Sequence, residues 1–228
     1  MKKNLSFLIG LFLTISAHAQ MQVSKFILPD GKEVPPGKLD SVEKAWGGEI
    51  MFQHDDEDDK KHIMHLIRRT PEMAKAMEEA SRKQQMAMES MIGRPAADFS
   101  LMDLEGKEVT LSKLKGKVIV LNFWFTSCPP CNTEMPELNK LVKNFDGKDV
   151  VFLALTFNNP NMIKEFLKNH SFFYTILPSS RTVDKFYQIT SWPTSFVIAR
   201  DGNVAFAVNF KDDIYAVLSK QITSVLNK

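Results

Sequence analysis

The only cysteines of the 228-residue chain stand as Cys128-Pro129-Pro130-Cys131, directly after the apolar run Val118-Ile119-Val120-Leu121-Asn122-Phe123-Trp124-Phe125. An almost continuous apolar run of this kind is expected of a strand buried on both faces. Two thiols three residues apart, at the end of such a strand and the start of a helix-like segment, can close a small reversible disulfide. A chain without further cysteines has no larger disulfide framework to build. The spacing also fits half of a zinc site, but zinc takes four ligands, and no second Cys-x-x-Cys or close Cys/His pair is available. Redox chemistry at Cys128 and Cys131 is therefore expected, with no metal and no cofactor.

Residues 1–19 carry the pattern of an export signal. Lys2 and Lys3 give a positive start, residues 5–15 are apolar apart from Ser6, Gly10 and Thr14, and Ala17-His18-Ala19 supplies a small-x-small cleavage pattern before Gln20. The apolar part is about eleven residues, against roughly 20 for a helix that crosses a bilayer. Cleavage after Ala19 is expected, with no stable membrane span left behind. It removes two of 29 basic residues and none of 27 acidic ones, so the mature chain has no net formal charge. Such a balance points neither to nucleic acid nor to an anionic membrane surface. The expected address is the periplasm, where disulfides persist. A working dithiol there needs a membrane or periplasmic electron donor.

Residues 20–92 form an extension that holds most of the methionines and three of the five histidines. Leu28-Pro29-Asp30-Gly31-Lys32 reads as a turn, and Pro35-Pro36-Gly37 interrupts any regular element that follows. Residues 49–54 and 62–68 suit two short strands joined across an acidic run at 55–59, most simply a solvated turn. Thr70 is a candidate N-cap with Pro71 at the first helical position, opening a Met-rich helix that Gly93-Arg94-Pro95 stops.

From residue 93 onward strands and helices alternate. Residues 99–102 and 108–111 flank a hairpin turn, and 117–125 is the central strand. A helix is expected from the cysteines to about 145, with Leu138, Leu141 and Val142 on one side. Then come a strand at 150–155, a helix at 162–169, a strand at 171–177 and a short helix at 182–187. Strands at 194–199 and 203–208 and a closing helix at 212–226 complete the pattern. Residues 93–228 thus read as an α/β domain with a mixed central sheet, ample for one core.

If Cys128 caps the following helix, the positive end of the dipole and the first free N–H groups favour its thiolate, the nucleophile of disulfide exchange. Cys131 would lie one turn in, shielded and placed to attack a mixed disulfide at Cys128. Pro129 and Pro130 remove two N–H donors and bring no positive charge. A less stabilised thiolate is a stronger reductant, so the dipeptide leans toward reduction.

The stretch from Phe123 through Cys128-Pro129-Pro130-Cys131 to Glu134-Met135-Pro136-Glu137-Leu138 resembles the active-site segment of TlpA/ResA-like thiol-disulfide oxidoreductases, a branch of the thioredoxin fold. Three other stretches are similar in order and spacing: Gly93-Arg94-Pro95-Ala96-Ala97-Asp98-Phe99, Leu114-Lys115-Gly116-Lys117-Val118, and Trp192-Pro193-Thr194-Ser195-Phe196 followed by Asp201-Gly202. The likeness covers residues 93 to about 226. It implies a thioredoxin-like central mixed sheet flanked by helices, and protein disulfides as substrates. Cys128 would be the exposed attacking thiol and Cys131 the resolving one. Pro193 would be a cis-proline facing the disulfide, with the Trp192 backbone pairing to a bound substrate strand. Glu134 matches an acid kept beside the active site, where it could relay the proton of Cys131. Its simpler reading is a solvated first-turn glutamate. Asn122 stands where cytosolic-type thioredoxins carry a buried aspartate. Ser127 departs from the tryptophan usual before the first cysteine, and Trp192 is bulkier than is usual before the cis-proline. Trp124, inside the strand, is expected to be packing.

Two alternatives differ in class. A peroxiredoxin-like peroxidase would want a threonine three residues before the attacking cysteine; Phe125 occupies that position, and Thr126 would face the other way on a strand. A copper-handling role could draw on His54, His62, Met64, His65, Met73, Met77, Met86, Met88 and Met91, although a methionine-rich face packing on the main domain accounts for most of them.

Overall fold

The computed structural model describes residues 25–47, 50–53, 58, 61 and 63–227. The expected signal at 1–19, together with His54 and His62, lies outside the described residues. The chain first builds a small sheet from β1 (Lys25–Ile27), β2 (Glu33–Val34), a helix α1 (Leu39–Ala45), β3 (Ile50–Gln53) and β4 (Ile63–Arg68), in the strand order β2-β1-β4-β3. The Leu28–Lys32 turn closes with Leu28 N–H donating to Lys32 O at 2.9 Å, and Gly31 takes the left-handed φ of 82° that the turn requires. Phe26, Val34, Met64 and Leu66 are the buried centre of this sheet. β1, β2 and α1 are not evident in the sequence, because each offers too few residues to establish a period.

α2 (Pro71–Met91) begins as expected, with Thr70 Oγ1 accepting the Met73 N–H at 3.2 Å and Pro71 at the start of the first turn. The hairpin follows as β5 (Ser100–Met102) and β6 (Glu108–Thr110). Then come β7 (Val118–Trp124), α3 (Pro129–Asn144), β8 (Val150–Thr156), α4 (Pro160–Phe166), β9 (Thr175–Leu177), α5 (Arg181–Phe186), β10 (Thr194–Ile198), β11 (Val204–Asn209) and α6 (Ile214–Leu226). The five-stranded sheet runs β11-β10-β7-β8-β9. β7, β8 and β9 are parallel, and β10 is antiparallel to both its neighbours.

Every residue of β7 is buried, and the two-residue period of a strand divides them between two cores. Val118, Val120 and Trp124 face a core with Leu138 and Leu141 of α3 and Leu218 and Ile222 of α6. Ile119, Leu121 and Phe123 face another, with Val183 of α5, Tyr187, Ile189 and Met88 of α2. Trp124 is core packing, edge-on to Phe172 at 5.4 Å between ring centres. Asn122 is the one polar residue of the strand, and the alternation puts it on the α3 side.

Candidate active site

β7 ends at Trp124, and four residues later Cys128 caps α3. Its φ and ψ are extended, and its Sγ accepts the Cys131 N–H at 3.2 Å. The helix start therefore fixes both cysteines, one as cap and one in the first turn. They are joined in a disulfide, with the Cα atoms 5.3 Å apart. The intervening loop is held from two sides. Asn158 Oδ1 accepts the Thr126 N–H at 2.9 Å, and Asn132 Nδ2 donates to Thr126 O at 3.3 Å.

The expectation that Cys128 is the exposed sulfur is not met in this disulfide-bonded state: both cysteines are 1% exposed. Capping turns the Cys128 side chain back over the helix, and both sulfurs join the α3-side core, against which Phe125 and Trp192 pack.

Glu134 lies one turn beyond Cys131 on the same helix and is 3% exposed, so it is not a solvated first-turn acid. Its Oε1 accepts from Asn122 Nδ2 at 2.9 Å, and the same nitrogen lies 3.1 Å from Ser195 Oγ. Asn122 and Ser195 are register partners across β7 and β10, which is why one amide reaches both. Glu134 Oε2 has no hydrogen-bond partner, and neither does the hydroxyl of buried Tyr174. Burial pushes the Glu134 carboxyl up to about 8, opposed only by the Asn122 hydrogen bond. Tyr174 is held well above its ordinary value, first by burial and then by the nearby Glu134 charge.

The Trp192–Pro193 bond is cis. Trp192 is half-buried and meets Phe125 and Phe157 edge-on, each at 5.7 Å, while those two rings stack at 5.3 Å. Arg181 lies over the outer ring, 3.6 Å from the Phe157 centre. The sequence names Ser195 only within the 192–196 stretch and gives no role to Ser195, Tyr174, Phe157, Asn158 or Arg181. A polar residue within the apolar 194–198 stretch was the available sign for Ser195; the other four carry no such signal. Of the copper-type residues, Met64 and Met88 are buried in separate cores, Met77 and Met86 are exposed, and Met73 and Met91 are half-buried. His65 Nε2 lies 3.3 Å from Asp58 Oδ1. Among the described residues no group of three or more His, Cys, Asp or Glu side chains is arranged to hold a metal.

A parallel β-α-β core with an antiparallel edge, a cysteine pair at a helix N-terminus and a cis-proline just before β10, the strand beside β7, define a thioredoxin-fold redox domain. Residues 92–207 match the AhpC/TSA family, and the chain belongs to that family. It is 37% identical over 115 residues to the thiol-disulfide oxidoreductase ResA of Bacillus thuringiensis subsp. konkukian, a match covering 50% of this chain and 66% of that protein. It is 33% identical over 114 residues to the thioredoxin-like protein YneN of Bacillus subtilis, over 48% of this chain and 66% of the relative. The aligned part thus spans slightly less than two thirds of each. Among solved structures, a thiol:disulfide interchange protein of the thioredoxin family from Chlorobium tepidum superimposes with a TM-score of 0.52 and 27% identity. That superposition covers 58% of this chain and 95% of the other.

Proposed function

We propose that this chain is an exported thiol-disulfide oxidoreductase that reduces protein disulfides through Cys128 and Cys131. The observation that carries the reading is the closed Cys128–Cys131 disulfide at the N-terminus of α3, one turn from a buried carboxyl. In the reduced protein the Cys128 thiolate attacks one sulfur of a substrate disulfide. The substrate S–S bond breaks, a mixed disulfide forms between Cys128 and the attacked sulfur, and the other substrate sulfur leaves as a thiolate that takes up a proton from solvent. Cys131 then gives its proton to the ionised fraction of Glu134, a minority below about pH 8, and attacks Cys128 Sγ, expelling the substrate sulfur held in the mixed disulfide as a thiolate that takes up a proton. Two electrons leave the protein and its disulfide closes. An external dithiol donor, in the membrane or the periplasm, reopens it by the reverse route, and protonated Glu134 supplies the proton to the departing Cys131 sulfur.

Pro193 and the Trp192 backbone form the docking edge for the substrate strand, and the Phe125–Phe157–Trp192 wall receives apolar side chains beside the target cysteine. Residues 1–19 act as the cleaved signal and 20–92 as an extension ahead of the redox domain. Among the described residues no helix is long and apolar enough to cross a membrane.

The test is trapping. With oxidised insulin as the disulfide probe, Cys131→Ala is expected to hold a mixed disulfide through Cys128, and Cys128→Ala to trap little. An adduct held mainly through Cys131 would reverse the roles, and failure of both variants to form one would overturn the function.

A further inference from the structure

α2 belongs to the extension, outside the matched family segment, yet one of its polar side chains is buried deep in the redox domain. Gln84 is 1% exposed, on a helix whose outer residues are mostly solvated. Its Oε1 accepts both the backbone N–H of Thr190, at 2.8 Å, and the Thr190 hydroxyl, at 2.5 Å. A backbone N–H can only donate, so the atom facing it must be the amide oxygen. One turn further along, Met88 is also 1% exposed and sits in the same core as Ile189. The helix therefore grips two consecutive residues of one loop, Ile189 by packing and Thr190 by a forked hydrogen bond.

That loop leads directly into Trp192 and Pro193. It follows Gln188, whose left-handed φ of 52° turns the chain after α5. Downstream, Thr194 Oγ1 lies 2.8 Å from Ser191 O. Between these two points no strand ladder supports the backbone. Gln84 supplies the tie that the sheet does not.

We propose that Gln84 is a positioning residue, through which α2 sets where Trp192 and Pro193 stand beside the disulfide and so sets affinity for protein disulfides. This rests on the exchange function proposed above. Gln84 touches neither cysteine. Its loss should therefore be felt by a substrate that docks on the loop and not by one that meets only the sulfurs.

The full chain is compared with Gln84→Leu, which keeps bulk without an acceptor, and Gln84→Glu, which keeps the acceptor. Insulin serves as the protein disulfide and hydroxyethyl disulfide as the small one. Gln84→Leu is expected to raise KM for insulin about five-fold or more while kcat stays within about two-fold, the pattern of lost binding rather than lost chemistry. Hydroxyethyl disulfide kinetics should not move, and Gln84→Glu should restore KM. A second readout needs no turnover. In the oxidised protein, amide hydrogen exchange at Thr190 should quicken about ten-fold in Gln84→Leu, with β7 amides unchanged as the control for local rather than global opening. Parallel losses on both disulfides, faster exchange throughout β7, or no change at Thr190 would each overturn the proposal. A wild-type protein inactive on both disulfides, with the Thr190 effect intact, would overturn the exchange function and uphold the tie between α2 and the loop.

Discussion

Glu134 has one carboxyl oxygen bonded to a neutral amide and the other without a partner, within a largely apolar core. An ionised carboxylate there loses its hydration and regains a single hydrogen bond, so the neutral form is favoured up to about pH 8. Asn122 can donate to it, where an aspartate at the same place would add a second buried charge. At neutral pH the disulfide form therefore holds a proton ready for the sulfur of Cys131. Glu134→Gln keeps the shape and removes that proton. Reopening of the disulfide by dithiothreitol should then slow about ten-fold at neutral pH, at the low end of general acid–base effects. The advantage of wild type over Glu134→Gln should shrink as pH rises through about 8, where Glu134 ionises; taking the ratio cancels the donor's own titration. Stability has a defined sign as well. The folded-state value is raised from 4.5 to about 8, so the folded protein binds the extra proton between these limits. Wild-type stability relative to Glu134→Gln should be highest below about 4.5 and fall as pH rises toward 8. A flat rate ratio and a flat stability difference across that window would reduce Glu134 to packing.

At the scale of elements, the segment after α4 shows what sequence pattern conveys and what it omits. Residues 171–177, rich in aromatic and apolar side chains, read as one strand, yet only Thr175–Leu177 pairs in the sheet. The preceding backbone is satisfied by a helix side chain instead. Asn139 of α3 donates to Ser171 O at 2.7 Å and accepts the Phe173 N–H at 2.8 Å, taking both groups a ladder would have used. A long-range side-chain contact of that sort has no local signature. β7 and the cap of α3 were legible because their apolar run, cysteines and prolines act on neighbours in sequence. The near-equal burial of the two cysteines was not, since it depends on packing by residues from distant parts of the chain. Nor was the Glu134–Asn122–Ser195 cluster, which depends on strand register between β7 and β10. Asn139→Ala should leave an unpaired N–H and an unpaired carbonyl beside the core, costing about 1–3 kcal/mol in urea unfolding. A loss below about half a kcal/mol would mean that water replaces both bonds without penalty.

For the whole molecule, oxidation state and stability are linked by one thermodynamic cycle. The sulfurs lie in the core that α3 and α6 share with Trp124, so opening the disulfide alters that core. In the closed form two apolar sulfur atoms pack there, and Glu134 is neutral at pH 7. In the open form a thiolate at Cys128 has the Cys131 N–H and the helix dipole to stabilise it, while Pro129 and Pro130 contribute no donor. These terms favour the closed form, and a couple that favours its disulfide is a reductant; strong oxidases do the opposite, stabilising their reduced form. The oxidised protein should therefore resist urea better than the dithiothreitol-reduced protein, by at least about 1 kcal/mol, with unchanged dependence on urea concentration. Equilibration with thiol buffers should place the couple nearer the thioredoxin end of the span from roughly −270 to −120 mV. A reduced form more stable than the oxidised one, with a potential near the upper limit, would make the Cys128–Cys131 pair a donor of disulfides and reverse the direction of electron flow proposed for this chain.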